Sequence, residues 1–390
     1  MKKTILATTV LATSLAGATS VQADAVTDAI KAGKTTISLR LRNENVERDV
    51  DTNDSANAAT LRTRLTYQSA DIAGISVLAE VDNVTALTDT NYNDGVNGKT
   101  TEQKIIDPEY TDVNQFYFQY KNAETTVKLG NQRILLDNQR HVGGVGFRQN
   151  EATFDAISVT NTSIPDTKIY LAGFNNRHTI TGADTLEDGF LGNVNYKMGK
   201  ELSLTGYTYL LNDIGGTTDF NTYGLRATGA VNIAVYEVEY AIQNKEVAGA
   251  DFDTSYYNVA AGVKLDGVTV KLGQELLGSD DGKAAFATPL GTNHKFNGWS
   301  DNFLGGNGND GFEDTYLNVV TKVAGLKLVG QYHSFAGDNS GDDLGSEYGF
   351  VVAKKINNYS LSLKASQYDA SDKSGKADTT KVWLTATAKF

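Results

Sequence analysis

The chain has 390 residues, with 35 basic against 47 acidic side chains, a formal net charge of -12 and no cysteine. So acidic a chain is a poor partner for nucleic acid, disulfides cannot hold it together, and a mean hydropathy of -0.33 with no long apolar run in its body excludes a helical membrane protein. Stability has to come from strand pairing and burial, and 38 Gly, 19 Tyr and 15 Phe against 3 Pro suit strands joined by turns.

The first residues, MKKTILATTVLATSLAGATSVQA, combine a basic start at Lys2 and Lys3, an apolar stretch and small residues at Val21 and Ala23. They read as a secretory signal peptide over residues 1–23, cleaved after Ala23. The apolar stretch is too short and too rich in Thr, Ser and Ala for a permanent span, which needs about 20 apolar residues.

From there the chain reads as strand after strand. TTISLRLRN puts Ile37, Leu39 and Leu41 on one face and Ser38, Arg40 and Arg42 on the other. TLRTRLTYQ repeats this with Leu61, Thr63, Leu65 and Tyr67 against Arg62, Arg64 and Gln68. GISVLAEVD, NQFYFQYK, ETTVKLG and the less regular NEATFDAISVT follow, and further alternating segments continue to the end of the chain. Their number is roughly eighteen. Tight turns such as KNAE, MGKE, LDG and INN alternate with long polar connections, expected at Asn43 to Ala59, Asn83 to Val113 and Gly278 to Asp314. An antiparallel transmembrane β-barrel with short periplasmic turns and long external loops has this asymmetry. The barrel is expected to occupy residues 24–390 without a domain boundary. Period two holds to the last residue: in KVWLTATAKF, Val382, Leu384, Ala386, Ala388 and Phe390 share a face. Such an aromatic-ended strand is a signal for barrel-assembly machinery acting through Phe390.

The third external connection, LGNQRILLDNQRHVGGVGFRQN, concentrates charge among glycines and aliphatics. In a barrel this wide, wall side chains alone cannot fill the lumen, and residues 131–149 are the candidate constriction loop. The candidate pore-lining set is Arg133, Asp137, Arg140 and Arg148 from the loop with Arg40, Arg42, Arg62 and Arg64 from the first two strands. Inward parity also assigns Lys128, Arg226, Lys271, Lys327 and Lys364 to the lumen, against Glu80, Asp82, Glu124, Glu237, Glu239 and Glu275, a modest basic excess.

ATLRTRLTYQ, DPEYTDVNQFYFQY, KLGNQRILLDNQRHVGGVGFRQN and EATFDA together resemble the outer-membrane barrels of the alginate-export type, which lie near the eighteen-stranded specific porins. The resemblance covers roughly Leu39 to Ala156 and departs from the family at Asn131, His141 and Phe147, so it implies the barrel and a Gram-negative outer membrane but no ligand preference.

The expected function is a porin for passive diffusion of small hydrophilic, anion-leaning solutes, selected by pore width and charge. The alternative is export of an anionic polysaccharide such as alginate, which needs a continuous basic lining. An enzyme is not expected: of the four histidines His141, His178, His294 and His333, the last is adjacent to Ser334 and so points to the opposite face. No cofactor or metal is expected, because acidic clusters such as DVDTND, GDNSGDD and DASDKSGKAD lack the spaced ligands of a calcium loop and read as solvated tips. The remaining expected partners are outer-membrane lipid and lipopolysaccharide. The oligomeric state is not readable.

Overall fold

The structure, a computed structural model, describes residues 23–390, so the expected signal peptide lies outside the described residues apart from Ala23. A short helix, α1, spans Ala23–Lys31. The strands then follow as β1 Lys34–Arg48, β2 Ser55–Gln68, β3 Ile75–Ala86, β4 Tyr110–Lys121, β5 Thr125–Gln132 and β6 Thr153–Asn161. Next come β7 Thr167–His178, β8 Asp188–Met198, β9 Leu202–Ile214, β10 Thr218–Val231, β11 Ala234–Val247 and β12 Ala250–Leu265. The last six are β13 Val268–Leu277, β14 Phe312–Val323, β15 Leu326–Ala336, β16 Asp343–Ile356, β17 Tyr359–Asp369 and β18 Thr379–Lys389.

Each strand pairs antiparallel with its chain neighbour, and β1 also pairs with β18 from Ser38↔Lys389 to Arg48↔Thr379. The sheet closes on itself and leaves no free edge. The two-residue piece Asp184–Thr185 only extends the connection between β7 and β8, so the wall has the eighteen strands expected.

The strand faces follow the parity of the sequence. Ile37 and Leu65 are 42% and 46% exposed on the outside, whereas Arg40, Arg42 and Arg62 are 9%, 4% and 7% exposed on the inside. A wall that shows Phe116, Phe118, Leu225, Tyr240, Leu272, Phe350 and Leu384 outward on many strands is incompatible with water and fits a hydrocarbon surround. The packed apolar cluster sits on the other side of the wall, inside the barrel. There Phe154, Phe174, Tyr207, Tyr209, Tyr256, Phe312, Phe335 and Tyr368 meet Ile134, Leu136, Val142, Phe286, Leu290 and Phe303 from the long loops.

Four sequence expectations need correction. Asn43 to Val46 pair with Ala59 to Ala56, so the first long connection shrinks to residues 49–54. The loop alternation is not strict either: at the long-loop end, residues 215–217 and 248–249 are tight turns, because β9 to β12 run their ladders almost to the tip. The barrel wall begins at Lys34, after α1. Glu124 is not an inward residue: it is exposed in the turn between β4 and β5.

Candidate functional site

Among the long connections that turn into the barrel, residues 87–109 pack Tyr92 and Ile105 on inward Val46, Ala56 and Ala58 and accept the Gln149 N–H at Asp107, and two others meet each other, L3 (residues 133–152) after β5 and L7 (residues 278–311) after β13. L3 therefore starts later and ends later than the expected 131–149, because Asn131 and Gln132 still pair with Asp155 and Phe154 of β6. L3 is tightly folded. Val145 adopts φ 51°, a left-handed conformation unfavourable for a β-branched residue. Its N–H donates to Thr292 Oγ1 of L7 at 3.1 Å, which holds it there. The two loops also bond backbone to backbone, Gly143 N–H to Leu290 O at 2.8 Å and Thr292 N–H to Gln139 O at 2.9 Å. An added Cβ at Gly143 would lie 2.2 Å from Thr292 Oγ1, so the approach requires glycine.

The wall grips L3 through its main chain. Arg40 donates to Gly146 O at 2.9 Å, to Arg148 O and to Gln149 Oε1 at 2.7 Å. Arg42 donates to Phe147 O at 2.6 Å with its guanidinium 4.3 Å above the Phe147 ring, and Arg62 reaches Gln149 O at 3.5 Å. Four consecutive carbonyls, 146 to 149, each accept from a strand arginine. Buried carbonyls without partners would be costly, so these arginines hold the loop in place.

The loop charges are paired as well. Arg133 binds Glu151 of its own loop and Glu80 of β3 at 3.0 Å, and Arg64 joins it with Asp82 at 2.7 Å and Glu151 at 2.6 Å. Burial alone would raise the Glu151 carboxyl, but the hydrogen bond and charge of Arg133 with the charge of Arg64 outweigh it and hold the group at about 2. Arg148 sits 2.8 Å from Glu44 and 3.4 Å from Asp301. Burial disfavours its charge, but Glu44, Asp107 and Asp301 more than compensate and keep it above the usual arginine value. Arg140 is fully buried against Glu275 of β13, with Asn297 of L7 at 2.9 Å. Asp137 accepts from Asn193 of β8 at 2.7 Å, and burial raises its carboxyl above the ordinary value. It therefore faces β8, away from the arginines of the first two strands.

The eight predicted residues are thus brought to the L3–wall contacts, but most of them do not present free charge to the passage. Arg133, whose side chain is 25% exposed, is the most open among the loop arginines, and it lines a cavity of about 480 Å³ toward the tight-turn end together with Lys128 and Lys168.

A second cavity, about 380 Å³, lies between the loops, and several of its important residues belong to L7, which sequence reasoning did not assign to the lumen. It is lined by Phe147 and Glu151 of L3, by His294, Lys295 and Trp299 of L7, and by Lys364 of β17. Lys364 Nζ lies 4.1 Å from the Trp299 ring centroid, 4.6 Å from that of Phe147 and 5.0 Å from that of Trp383. It donates to His294 Nε2 at 2.7 Å, while His294 Nδ1 donates to Asp301 at 2.5 Å. With a donor on one nitrogen and an acceptor on the other, the imidazole is neutral. Burial is the main cause that pushes its pKa down to about 3, and Lys364 adds to it against the opposing pull of Asp301. Glu347 of β16 anchors the same loop, accepting from the N–H groups of Trp299 and Ser300. A signal for L7 existed in the sequence. Phe286, Leu290, Phe296, Trp299 and Phe303 make KAAFATPLGTNHKFNGWSDNF too apolar for a solvated loop.

No protein-family model matches the chain, and no curated protein does. Solved structures do. The crystal structure of Acinetobacter baumannii OccAB4 matches with TM-score 0.70 and 14% identity, over 92% of this chain and 98% of that one. Pseudomonas aeruginosa OpdO matches with TM-score 0.73 and 12% identity, over 94% and 99% of the two chains. A BenF-like porin from Pseudomonas fluorescens Pf-5 matches with TM-score 0.71 and 15% identity, over 93% and 100%. At such identities the likeness establishes a shared fold over the 92–94% of the chain that is matched. It gives no sign of an alginate-export family.

Proposed function

We propose that this chain is an outer-membrane porin, not an enzyme, that passes small hydrophilic solutes by passive diffusion and favours anions. The carrying observation is the passage between L3 and L7. Glu151 is already neutralised there by Arg133 and Arg64, and His294 is uncharged. Lys295, held by Asn138 O at 2.9 Å, is left as its positive charge. A fixed positive potential at a constriction favours anions, and the acids of the outer loop tips, beyond about 10 Å, are screened at physiological salt. The outward apolar wall and the fold shared with the Occ, Opd and BenF-like structures support the outer-membrane placement and the porin reading.

Export of a polysaccharide such as alginate is the weaker reading. Both loops are tied to the wall and to each other by buried pairs, and along the lining the basic groups Lys128, Arg133 and Lys295 are interrupted by acidic Glu80 and Glu151 and by apolar Leu135. A charged polymer needs an uninterrupted lining. The test is the reversal potential of the purified protein in a planar bilayer under a salt gradient. Wild type is expected to favour the anion, and Lys295→Ala to shift the potential toward the cation. A cation-selective wild type would refute the reading.

A further inference from the structure

We propose that α1 is an interfacial anchor whose Val26 and Ile30 side lies in the periplasmic leaflet of the outer membrane, beside the foot of the barrel. The inference rests on the outer-membrane reading above. At about 100° per residue, the helix separates into an apolar arc of Ala25, Ala29, Val26 and Ile30, all beyond the expected cleavage point, and a polar arc of Thr27, Lys31, Asp24 and Asp28.

The position of the helix follows from two hydrogen bonds. Tyr67 Oη donates to Ile30 O at 2.6 Å, and Ala70 N–H donates to Ala29 O at 3.0 Å. Tyr67 shares its parity with exposed Leu65, whereas Arg64 and Thr66 face the lumen and bind Asp82 and Glu80. The helix therefore lies against the outside of the wall at the tight-turn end and does not cover the mouth.

Its apolar arc is only half used. Ala29 is buried at 8% exposure, but Val26 is 43% exposed and Ile30 57%. This uncovered side continues an apolar outer surface formed by Ile37, Leu65, Ile75 and Tyr120 near the same rim. The wall there already requires a hydrocarbon surround, and a helix packed on its outside with two large aliphatics uncovered meets the same surround. The polar arc then faces the headgroups and the periplasm, as in helices that lie in the plane of a membrane interface.

The absence of cysteine makes the test clean. Val26→Cys, Ile30→Cys, Asp28→Cys and Leu65→Cys each carry one environment-sensitive fluorophore in protein reconstituted into phosphatidylcholine–phosphatidylglycerol vesicles containing nitroxide-labelled acyl chains. Labels at 26 and 30 are expected to be blue-shifted and quenched at least twofold more than the label at 28, approaching the level at 65. Quenching at 65 with none at 26 and 30 overturns the proposal while leaving the barrel in the membrane. No quenching at 65 refutes the membrane reading itself and the anchor with it. Oxidative cross-linking of the unlabelled Val26→Cys variant between protomers would assign this face to a second copy and also overturns the proposal.

Discussion

Arg140 and Glu275 form a closed pair inside the barrel, with Nε 2.8 Å from Oε1 and the second guanidinium contact 2.9 Å from Oε2. Glu275 also accepts from Tyr256 of the wall and from Asn297 of L7, each at 2.8 Å. One carboxylate thus joins the wall, L3 and L7. Arg140→Ala removes the loop end of this joint and leaves Glu275 undercompensated in a buried site, a loss of about 3 kcal/mol. The expected result is a noisier channel of higher mean conductance in single-channel recordings, with the barrel still folded by circular dichroism. An unchanged trace would show that the pair does not hold L3.

Acid is expected to loosen the two loops in different pH windows. His294 has a folded pKa of about 3, below its ordinary 6.5, so its contribution is fully present above 6.5 and is lost as pH falls from there toward 3. Glu151 is depressed from 4.5 to about 2, so its contribution is complete above 4.5 and is lost only as pH falls toward 2. Current noise is therefore expected to grow first below pH 6.5, through L7, and again below 4.5, through L3. His294→Gln should abolish the first step and keep the second. A single transition in both proteins would contradict the separate anchoring of the loops.

Phe390 completes the seam of the barrel. Its N–H donates to Ile37 O at 2.8 Å, Ile37 N–H donates back at 3.0 Å, and its exposed ring lies 6.1 Å from that of Tyr359. Deleting Phe390 is expected to reduce the assembled outer-membrane protein severalfold while export to the periplasm continues. Phe390→Ala, which keeps both backbone bonds, separates the role of the ring from that of the seam. Normal assembly of the deletion variant would refute recognition through this residue.

The wall is readable from the sequence because a strand has period two and each face meets a different solvent. Leu39 and Leu41 against Arg40 and Arg42 suffice to orient β1. Parity shows which way Arg40 points, but not where its guanidinium ends, because the acceptor is a main-chain carbonyl more than a hundred residues away. The same limit explains L7: Trp299 and Lys295 lie on no strand, so no alternation assigns them to the lumen. The tight turns at 215–217 and 248–249 are marked in the sequence by Gly215, Gly216 and Gly249, which take positive φ, and only an assumed alternation of short and long connections hides them.

The clasp of Arg40, Arg42 and Arg62 on the carbonyls of residues 146 to 149 separates attachment from identity. A carbonyl is the same in every residue, so this part of the hold on L3 does not depend on the side chains it carries, whereas the buried side chains of Arg148 and Gln149 add holds that do. Exchange of Phe147 therefore costs its ring contacts with Arg42, His294 and Lys364 but leaves the four carbonyl bonds that dock the loop. In an evolving lineage, or under a designer's hand, the barrel would act as a fixed socket and L3 as an interchangeable filter.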